Sequence, residues 1–159
     1  MTDNQTTSER VSDTEMRVTR RFDAPARIVF RAWTTPDLMV KWWTPKSFGI
    51  TFISCEMDVR TGGNYRFVFG HPAADQPMAF FGRYIEVVEN AKIVWTNEEA
   101  ENGSVTTATF TERAGKTELV ISDVYPSKAA LDEAIASGSV AGYDEQFVQL
   151  DDLAASLTA

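Results

Sequence analysis

Hydrophobic and polar positions repeat with two different periods along this chain, and the change of period predicts where helices and strands lie. Residues 15–22 alternate with the period of two that a β-strand requires. Pro25 then marks a helix start, because proline is tolerated in the first helical turn, and apolar residues recur at helical spacing as far as Trp33. A second short helix is predicted between Thr35 and Pro45, where proline ends it.

The middle of the chain returns to the strand period and predicts six strands in succession. They cover residues 51–59, 65–69, 78–88, 93–96, 105–111 and 119–124. In the first of them, one face is predicted to carry Thr51, Ile53, Cys55, Met57 and Val59. Short connections such as Gly62-Gly63 favour antiparallel neighbours, so we expect a meander rather than parallel strands joined by crossover helices.

The last part of the chain is predicted to be helical, with a short helix over residues 128–137 and a longer final helix. Apolar residues of the final helix recur at intervals of three and four: Val140, Tyr143, Phe147, Leu150, Ala154 and Leu157. The opposite side is predicted to carry Asp144, Glu145, Gln149, Asp152 and Ser156. An apolar stripe of this kind has to be covered by another element, and we expect the sheet to cover it.

Composition agrees with one globular domain that follows a short polar segment. Hydrophobic residues make up 43% and aromatic residues 11% of the 159 positions, which is typical of a chain that folds. One domain commonly has about 100–150 residues. Residues 1–14 are rich in Thr, Ser, Asp and Glu, so we expect a disordered lead there and a single domain over residues 15–159.

The formal net charge of −8 argues against binding to nucleic acid or to an anionic membrane surface, because both require a basic face. No apolar run approaches the length of about 18 residues that predicts a membrane span. The polar N-terminal residues also lack the apolar stretch of a signal peptide. A cytoplasmic location is therefore expected, with no membrane and no nucleic acid among the partners.

Candidate catalytic groups are few. Cys55 is the only cysteine and His71 the only histidine, so neither a disulfide nor a histidine-rich metal site is expected. The sequence contains no H-E-x-x-H, C-x-x-C or G-x-S-x-G motif. Glu56 and Asp58 share a strand face and could form an acid–base pair, although two exposed carboxylates are the simpler interpretation. We expect no metal ion and no cofactor.

Three of the four tryptophans lie within residues 33–48, and the surrounding motifs resemble those of a known family. Residues 42–48, Trp-Trp-Thr-Pro-Lys-Ser-Phe, resemble two tryptophans followed by Gly-Pro-Lys-Gly-Phe. Residues 58–63 resemble an Asp-Leu-Arg-Pro-Gly-Gly turn, and the strand from Gly82 resembles Gly-x-x-x-Glu-x-Val. Residues 142–153 resemble the Gly-Trp and Leu-Asp-x-Leu of the family's last helix. The family is that of homologues of the heat-shock-protein-90 ATPase activator, within the START-like (SRPBCC) superfamily.

This resemblance implies a helix-grip fold of the α+β class, in which a curved antiparallel sheet wraps around a long C-terminal helix. It also implies a cavity between the sheet and that helix, because relatives bind hydrophobic small molecules or cyclise polyketides. The residues predicted to line the cavity are Trp33, Trp42, Tyr65, Phe67, Phe69, Phe80, Tyr84, Trp95, Phe110, Tyr143 and Phe147. The alternative is that these side chains fill a solid core.

The expected function is therefore to bind a small hydrophobic, ring-containing molecule without catalysis. Polar contacts could come from the tyrosine hydroxyls, or from Arg60 and Arg83 if the ligand is anionic. A polyketide cyclase or aromatase stays an alternative, because it needs only positioning and a weak acid or base.

A chaperone-interacting module that stimulates an ATPase is the other alternative. The eukaryotic activator carries an additional N-terminal domain that docks on the chaperone, whereas 14 polar residues precede the fold here, which favours the binding role. Small bacterial domains commonly dimerise, and a homodimer stays open because no feature of the sequence specifies one.

Overall fold

Eight β-strands and four α-helices form the structure, a computed structural model that describes residues 6–98, 103–136 and 142–158. The helices are α1 (Ala26–Thr34), α2 (Pro36–Trp42), α3 (Lys128–Ala136) and α4 (Gly142–Thr158), and a short 3-10 helix spans Lys46–Phe48. The strands are β1 (Thr7–Arg10), β2 (Glu15–Phe22), β3 (Thr51–Met57), β4 (Asn64–Gly70), β5 (Met78–Val88), β6 (Lys92–Thr96), β7 (Val105–Arg113) and β8 (Lys116–Val124). The predicted helix-grip fold of the α+β class is confirmed.

The strands form one antiparallel sheet in the order β1-β2-β8-β7-β6-β5-β4-β3. Strand β5 changes partner along its length, because residues 78–83 pair with β4 and residues 84–88 pair with β6. At the change lies Gly82, where an added Cβ would stand 2.0 Å from the carbonyl oxygen of Thr96. A register shift between Tyr84 and Glu86 follows directly. The close approach and the shift let the sheet curve around the helices.

Helix α4 packs its apolar stripe into the concave side of the molecule. Phe147, Leu150 and Ala154 are fully buried, as the spacing of apolar residues predicts. The helix contacts α1 and α2 as well as β2, so the expectation that the sheet alone covers the stripe is wrong. The two short helices fill the space between α4 and the sheet. The predicted stripe residue Val140 lies outside the described residues.

Part of the predicted N-terminal lead is ordered. Residues 7–10 form β1, which pairs with β2 from Thr7↔Thr19 to Arg10↔Met16. All four side chains of β1 are exposed, so the segment carries no apolar alternation that would reveal a strand. Its order comes from backbone hydrogen bonds to the neighbouring edge. The prediction of disorder is therefore wrong for residues 7–10, and residues 1–5 lie outside the described chain.

A bulge in β3 changes which of its side chains face the core, so the predicted face is wrong in part. The pairing of β3 with β4 shifts between Phe52 and Ser54, and an extra residue moves the side chains that follow to the other face of the sheet. Ile53 is consequently 59% exposed, whereas Phe52 packs inward with ring centroids 4.6 Å from Phe69. Cys55 and Met57 do pack against the core, as predicted.

Candidate functional site

An aromatic cluster between the helices and the sheet has Trp33 at its centre. Its ring centroid lies 4.8 Å from that of Trp42, 5.7 Å from Trp43 and 5.5 Å from Trp95. Most of these contacts are edge-to-face, the arrangement that the charge distribution of aromatic rings favours. The Trp42 indole also donates a hydrogen bond of 3.0 Å to the carbonyl oxygen of Ala32. The cluster thus forms a rigid wall of the interior.

Two adjoining cavities open beside this cluster. The inner cavity has a volume of about 40 Å³, enough for only a few atoms. The outer cavity has a volume of about 470 Å³, within the range of about 300–1,000 Å³ that is usual for ligand sites. Both cavities are lined by Trp43, Phe80, Trp95 and Asn97, so the inner one continues the outer one.

The outer cavity lies where the sheet faces the first turn of α4. Strands β4 to β8 form one wall, and the loop after α2, helix α3 and the start of α4 form the other. Phe48 and Phe80 line it although their side chains are 46% and 41% exposed. These two rings therefore stand at the solvent-exposed rim of the cavity.

Eight of the eleven predicted lining residues do border these cavities. Trp33, Tyr65, Phe67 and Tyr84 line the inner one, Phe69 and Tyr143 line the outer one, and Phe80 and Trp95 line both. Trp42, Phe110 and Phe147 line neither. They are at most 5% exposed and belong to the packed core, because α1 and α2 occupy the space that a bare sheet and helix would leave open.

A chain of hydrogen bonds crosses the polar end of the outer cavity. The Tyr65 hydroxyl donates to the carbonyl oxygen of Thr96 over 2.7 Å and lies 3.3 Å from Asn97 Oδ1. Asn97 Nδ2 donates to Thr106 Oγ1 over 3.1 Å. The Thr106 hydroxyl donates to Asp123 Oδ1 over 2.5 Å. The Tyr143 hydroxyl donates to Asp123 Oδ2 over 2.9 Å. Both carboxyl oxygens of Asp123 therefore have a donor. The polar end brings together side chains from β4, β7, β8 and α4 and from Asn97, which follows β6.

Asp123 is the acidic group of this site. Its side chain is almost entirely buried, and this burial raises the pKa of its carboxyl above the ordinary value, although the hydrogen bonds from Thr106 and Tyr143 oppose the rise. Burial also raises the pKa of Tyr143 well above its ordinary value, and the neighbouring Asp123 charge adds to that rise. Asp123 thus holds a proton more readily than an exposed aspartate does.

Polar side chains of α4 hold the opposite wall in place. Gln149 Nε2 donates to the carbonyl oxygens of Trp42 and Thr44 over 3.0 and 2.9 Å, and its Oε1 accepts from the backbone N–H of Lys46. Gln146 donates to the carbonyl oxygen of Trp43.

Glu145 completes this contact by accepting hydrogen bonds from the backbone N–H and the hydroxyl of Ser47. The prediction that Glu145 and Gln149 occupy the side of the helix away from the fold is therefore wrong. They fix the segment after α2 that bears the cavity-lining residues Trp43, Thr44 and Pro45.

Sequence reasoning missed Asp123, Asn97 and Thr106, and a signal for the first of them was present. In β8 the inward positions alternate as Leu119, Ile121 and Asp123, so a carboxyl stands where the pattern calls for an apolar side chain. The cavity residues Met39, Trp43 and Ile93 were also missed. Trp43 belongs to the tryptophan cluster, but helical spacing alone does not tell which of two adjacent tryptophans faces a cavity.

The other candidate groups border neither the inner nor the outer cavity. Arg60 pairs with Asp58 over 2.9 Å, and Arg83 pairs with Glu98 over 2.7 Å, on the surface. Burial raises the pKa of the Cys55 thiol to about 11, which disfavours a nucleophilic thiolate. Residues 6–98, 103–136 and 142–158 contain no cluster of acidic, histidine or cysteine residues that could hold a metal ion. No helix in these ranges has the length and apolar character to cross a membrane.

Comparison with known proteins decides the family. The model of the family described as "Activator of Hsp90 ATPase homolog 1-like protein" matches residues 23–155. The chain belongs to this family. Membership suggests a ligand-binding or activator-like role and names no ligand. The search of curated proteins gave no match.

Solved structures of bacterial proteins are similar over nearly the whole chain. A protein from Rhodobacter sphaeroides has a TM-score of 0.87 at 23% identity, with 96% of this chain and 99% of that one covered. A protein from Mycobacterium smegmatis has a TM-score of 0.81 at 24% identity, with the same coverage of both chains. A protein from Chromobacterium violaceum has a TM-score of 0.72 at 29% identity, with 87% and 96% covered. The first two likenesses concern the fold alone.

Proposed function

We propose that this family member binds a small hydrophobic, ring-containing molecule in the outer cavity, at the start of α4. The observation that carries the proposal is an opening of about 470 Å³ with a mostly aromatic and aliphatic lining. Transfer of apolar surface from water into such a space stabilises the complex by roughly 25 cal/mol per Å². The rings of Trp43, Phe69 and Trp95 offer faces and edges against which a flat ligand can pack.

The cavity walls are held in place without a ligand. The aromatic cluster supports one side, and the Gln149 and Glu145 hydrogen bonds fix the segment after α2 on the other. A wall that is already ordered loses little conformational entropy when a ligand enters, and this favours binding. The inner cavity, next to Tyr65 and Tyr84, can take a small substituent of the ring system.

Isothermal titration calorimetry with 2-methoxynaphthalene tests the proposal, because this probe is a flat apolar molecule without a hydrogen-bond donor. We expect saturable one-to-one binding with a negative heat-capacity change, the signature of apolar burial. Met78→Trp should weaken binding at least about tenfold, since Met78 lines the outer cavity and an indole would occupy it.

Ile85→Trp is the matched control on the same strand, because Ile85 is 50% exposed and borders neither cavity. It should bind the probe as the wild type does. Equal affinity of the Met78→Trp variant and the wild type would place the probe elsewhere, and the absence of saturable binding would overturn the proposed function.

A further inference from the structure

The polar end of the outer cavity carries an acceptor that the ligand can use. Each oxygen of Asp123 accepts one hydrogen bond from the protein, from Thr106 and from Tyr143. A carboxylate oxygen can accept about two hydrogen bonds, so each keeps further accepting capacity. Asp123 also borders the outer cavity, and this capacity is therefore available to a molecule bound there.

The hydrogen bonds from Thr106 and Tyr143 stabilise the ionised, accepting form of Asp123. Asn97 Nδ2 donates to Thr106 Oγ1, which leaves the Thr106 hydroxyl hydrogen to be donated to Asp123. Asn97 Nδ2 also lies 2.9 Å from the carbonyl oxygen and 3.0 Å from the hydroxyl oxygen of Ser104, so its two hydrogens are shared among three acceptors. The Asn97 amide is thereby held in one orientation, with its NH2 group toward Thr106. The Thr106 hydroxyl then continues to donate to Asp123.

The charge of the residues that line the two cavities also disfavours an anionic ligand. Among the described residues that border the two cavities there is no lysine, arginine or histidine, and Asp123 is the single acidic residue. The net charge of the whole chain is −8. An anionic ligand would meet a carboxyl group with no compensating cation at a site largely removed from water, where repulsion between like charges is weakly screened.

We propose that Asp123 and Tyr143 recognise a hydrogen-bond donor, so that the site selects ring-containing ligands with a hydroxyl or amino group over ligands with a carboxylate. This inference rests on the proposed function and specifies its ligand class. Asp123 accepts the ligand's hydrogen, and the Tyr143 hydroxyl, which donates to Asp123, holds the carboxyl in place. Apolar contacts supply affinity, and the donor decides which molecules bind well.

The test compares three naphthalenes that share one ring system: 2-naphthol, 2-methoxynaphthalene and 2-naphthoate. Calorimetry at pH 7 should show the naphthol binding about tenfold more tightly than the methoxy compound, since one hydrogen bond to a buried carboxyl oxygen has about that effect. The naphthoate should bind at least about tenfold more weakly than the naphthol. This comparison uses the wild-type protein alone and requires no variant to fold.

Asp123→Asn should then reduce both preferences, because an amide carries no charge. Asp152→Asn is the control, since it removes one carboxylate from an exposed position of α4 and should leave both preferences as in the wild type. Equal affinities for all three compounds in the wild type would overturn the inference while the proposed function stands. A preference for naphthoate would overturn it too. Failure of all three to bind would overturn the proposed function, and the inference with it.

Discussion

At the scale of the residue, Asp123 combines burial with two hydrogen bonds from hydroxyl groups. Removal from water disfavours its ionised form, whereas Thr106 and Tyr143 stabilise that form. The first effect is the larger, so the pKa is raised. The ionisable groups that face Asp123 are the hydroxyls of Tyr143 and Tyr125, and the pKa of each is raised as well. The carboxyl thus has no cationic partner among the described residues.

The raised pKa of Asp123 makes stability depend on pH. A carboxyl whose pKa is higher in the folded state than in the unfolded chain stabilises the fold fully below the unfolded value, near 3.8, and this contribution is lost as pH rises through the folded value. Asp123→Asn removes this dependence. The free energy of unfolding of Asp123→Asn minus that of the wild type should therefore increase as pH rises from 3.8, measured by urea unfolding at successive pH values.

Thr106→Val provides the complementary variant. It removes a hydrogen bond that lowers the pKa of Asp123, so the loss of stability with rising pH should extend to higher pH than in the wild type. A difference between Asp123→Asn and the wild type that stays constant with pH would show that the carboxyl has the same pKa in both states.

At the scale of the element, the sequence predicted most helices and strands because their periods are regular. Strand β5 and the start of α2 agree with the alternation and with Pro36. The rest could not be predicted, because it depends on contacts between elements. A bulge in β3 shows only in its pairing with β4, and β1 is held by backbone bonds that carry no side-chain signal. The aromatic cavity wall was predicted from the family resemblance together with the strand pattern. The polar end was not predicted, because it unites β4, β7, β8 and α4 with the loop residue Asn97.

Strand β5 can change partner only because residue 82 is a glycine. In Gly82→Ala the new Cβ would stand 2.0 Å from the Thr96 carbonyl oxygen, and β5 and β6 would have to separate. We expect a loss of roughly 1–3 kcal/mol in the free energy of unfolding, as for other overpacked sites. Gly142→Ala is the control, since its nearest neighbour would be a Phe48 ring carbon at 3.6 Å. Equal stability of the two variants in urea unfolding would mean that β5 and β6 make room for the added methyl group without loss of free energy of unfolding.

Helix α4 stabilises the fold through side-chain hydrogen bonds as well as through its buried apolar residues. Gln149→Ala removes three hydrogen bonds to the segment after α2. We expect the free energy of unfolding to fall by roughly 1–3 kcal/mol, because backbone groups of that segment lose their partners. Asp152→Ala, an exposed position of the same helix, should change it far less. A Gln149→Ala variant as stable as Asp152→Ala would show that water fully replaces the three hydrogen bonds of Gln149.

At the scale of the whole molecule, the interior is solid on one side and hollow on the other. Phe22, Phe147 and Leu150 are fully buried where α4 crosses β2. The first turn of the same helix borders the cavity of about 470 Å³. One helix therefore anchors the fold with its middle and shapes the site with its beginning. Substitutions in the middle of α4 therefore act on the packed core, and substitutions in its first turn act on the cavity lining.

The position of the tryptophans has a consequence for observing this protein. Trp33, Trp43 and Trp95 border the cavities, and Trp42 lies 4.8 Å from Trp33 between ring centroids. Excitation energy passes readily between indoles this close, so quenching of one ring is expected to lower the emission of its neighbours. A ligand that quenches one of these tryptophans would thereby lower the fluorescence of the others. If the proposed ligand binds in the outer cavity, the ultraviolet emission of these tryptophans should change on binding, and no attached dye is needed to follow it.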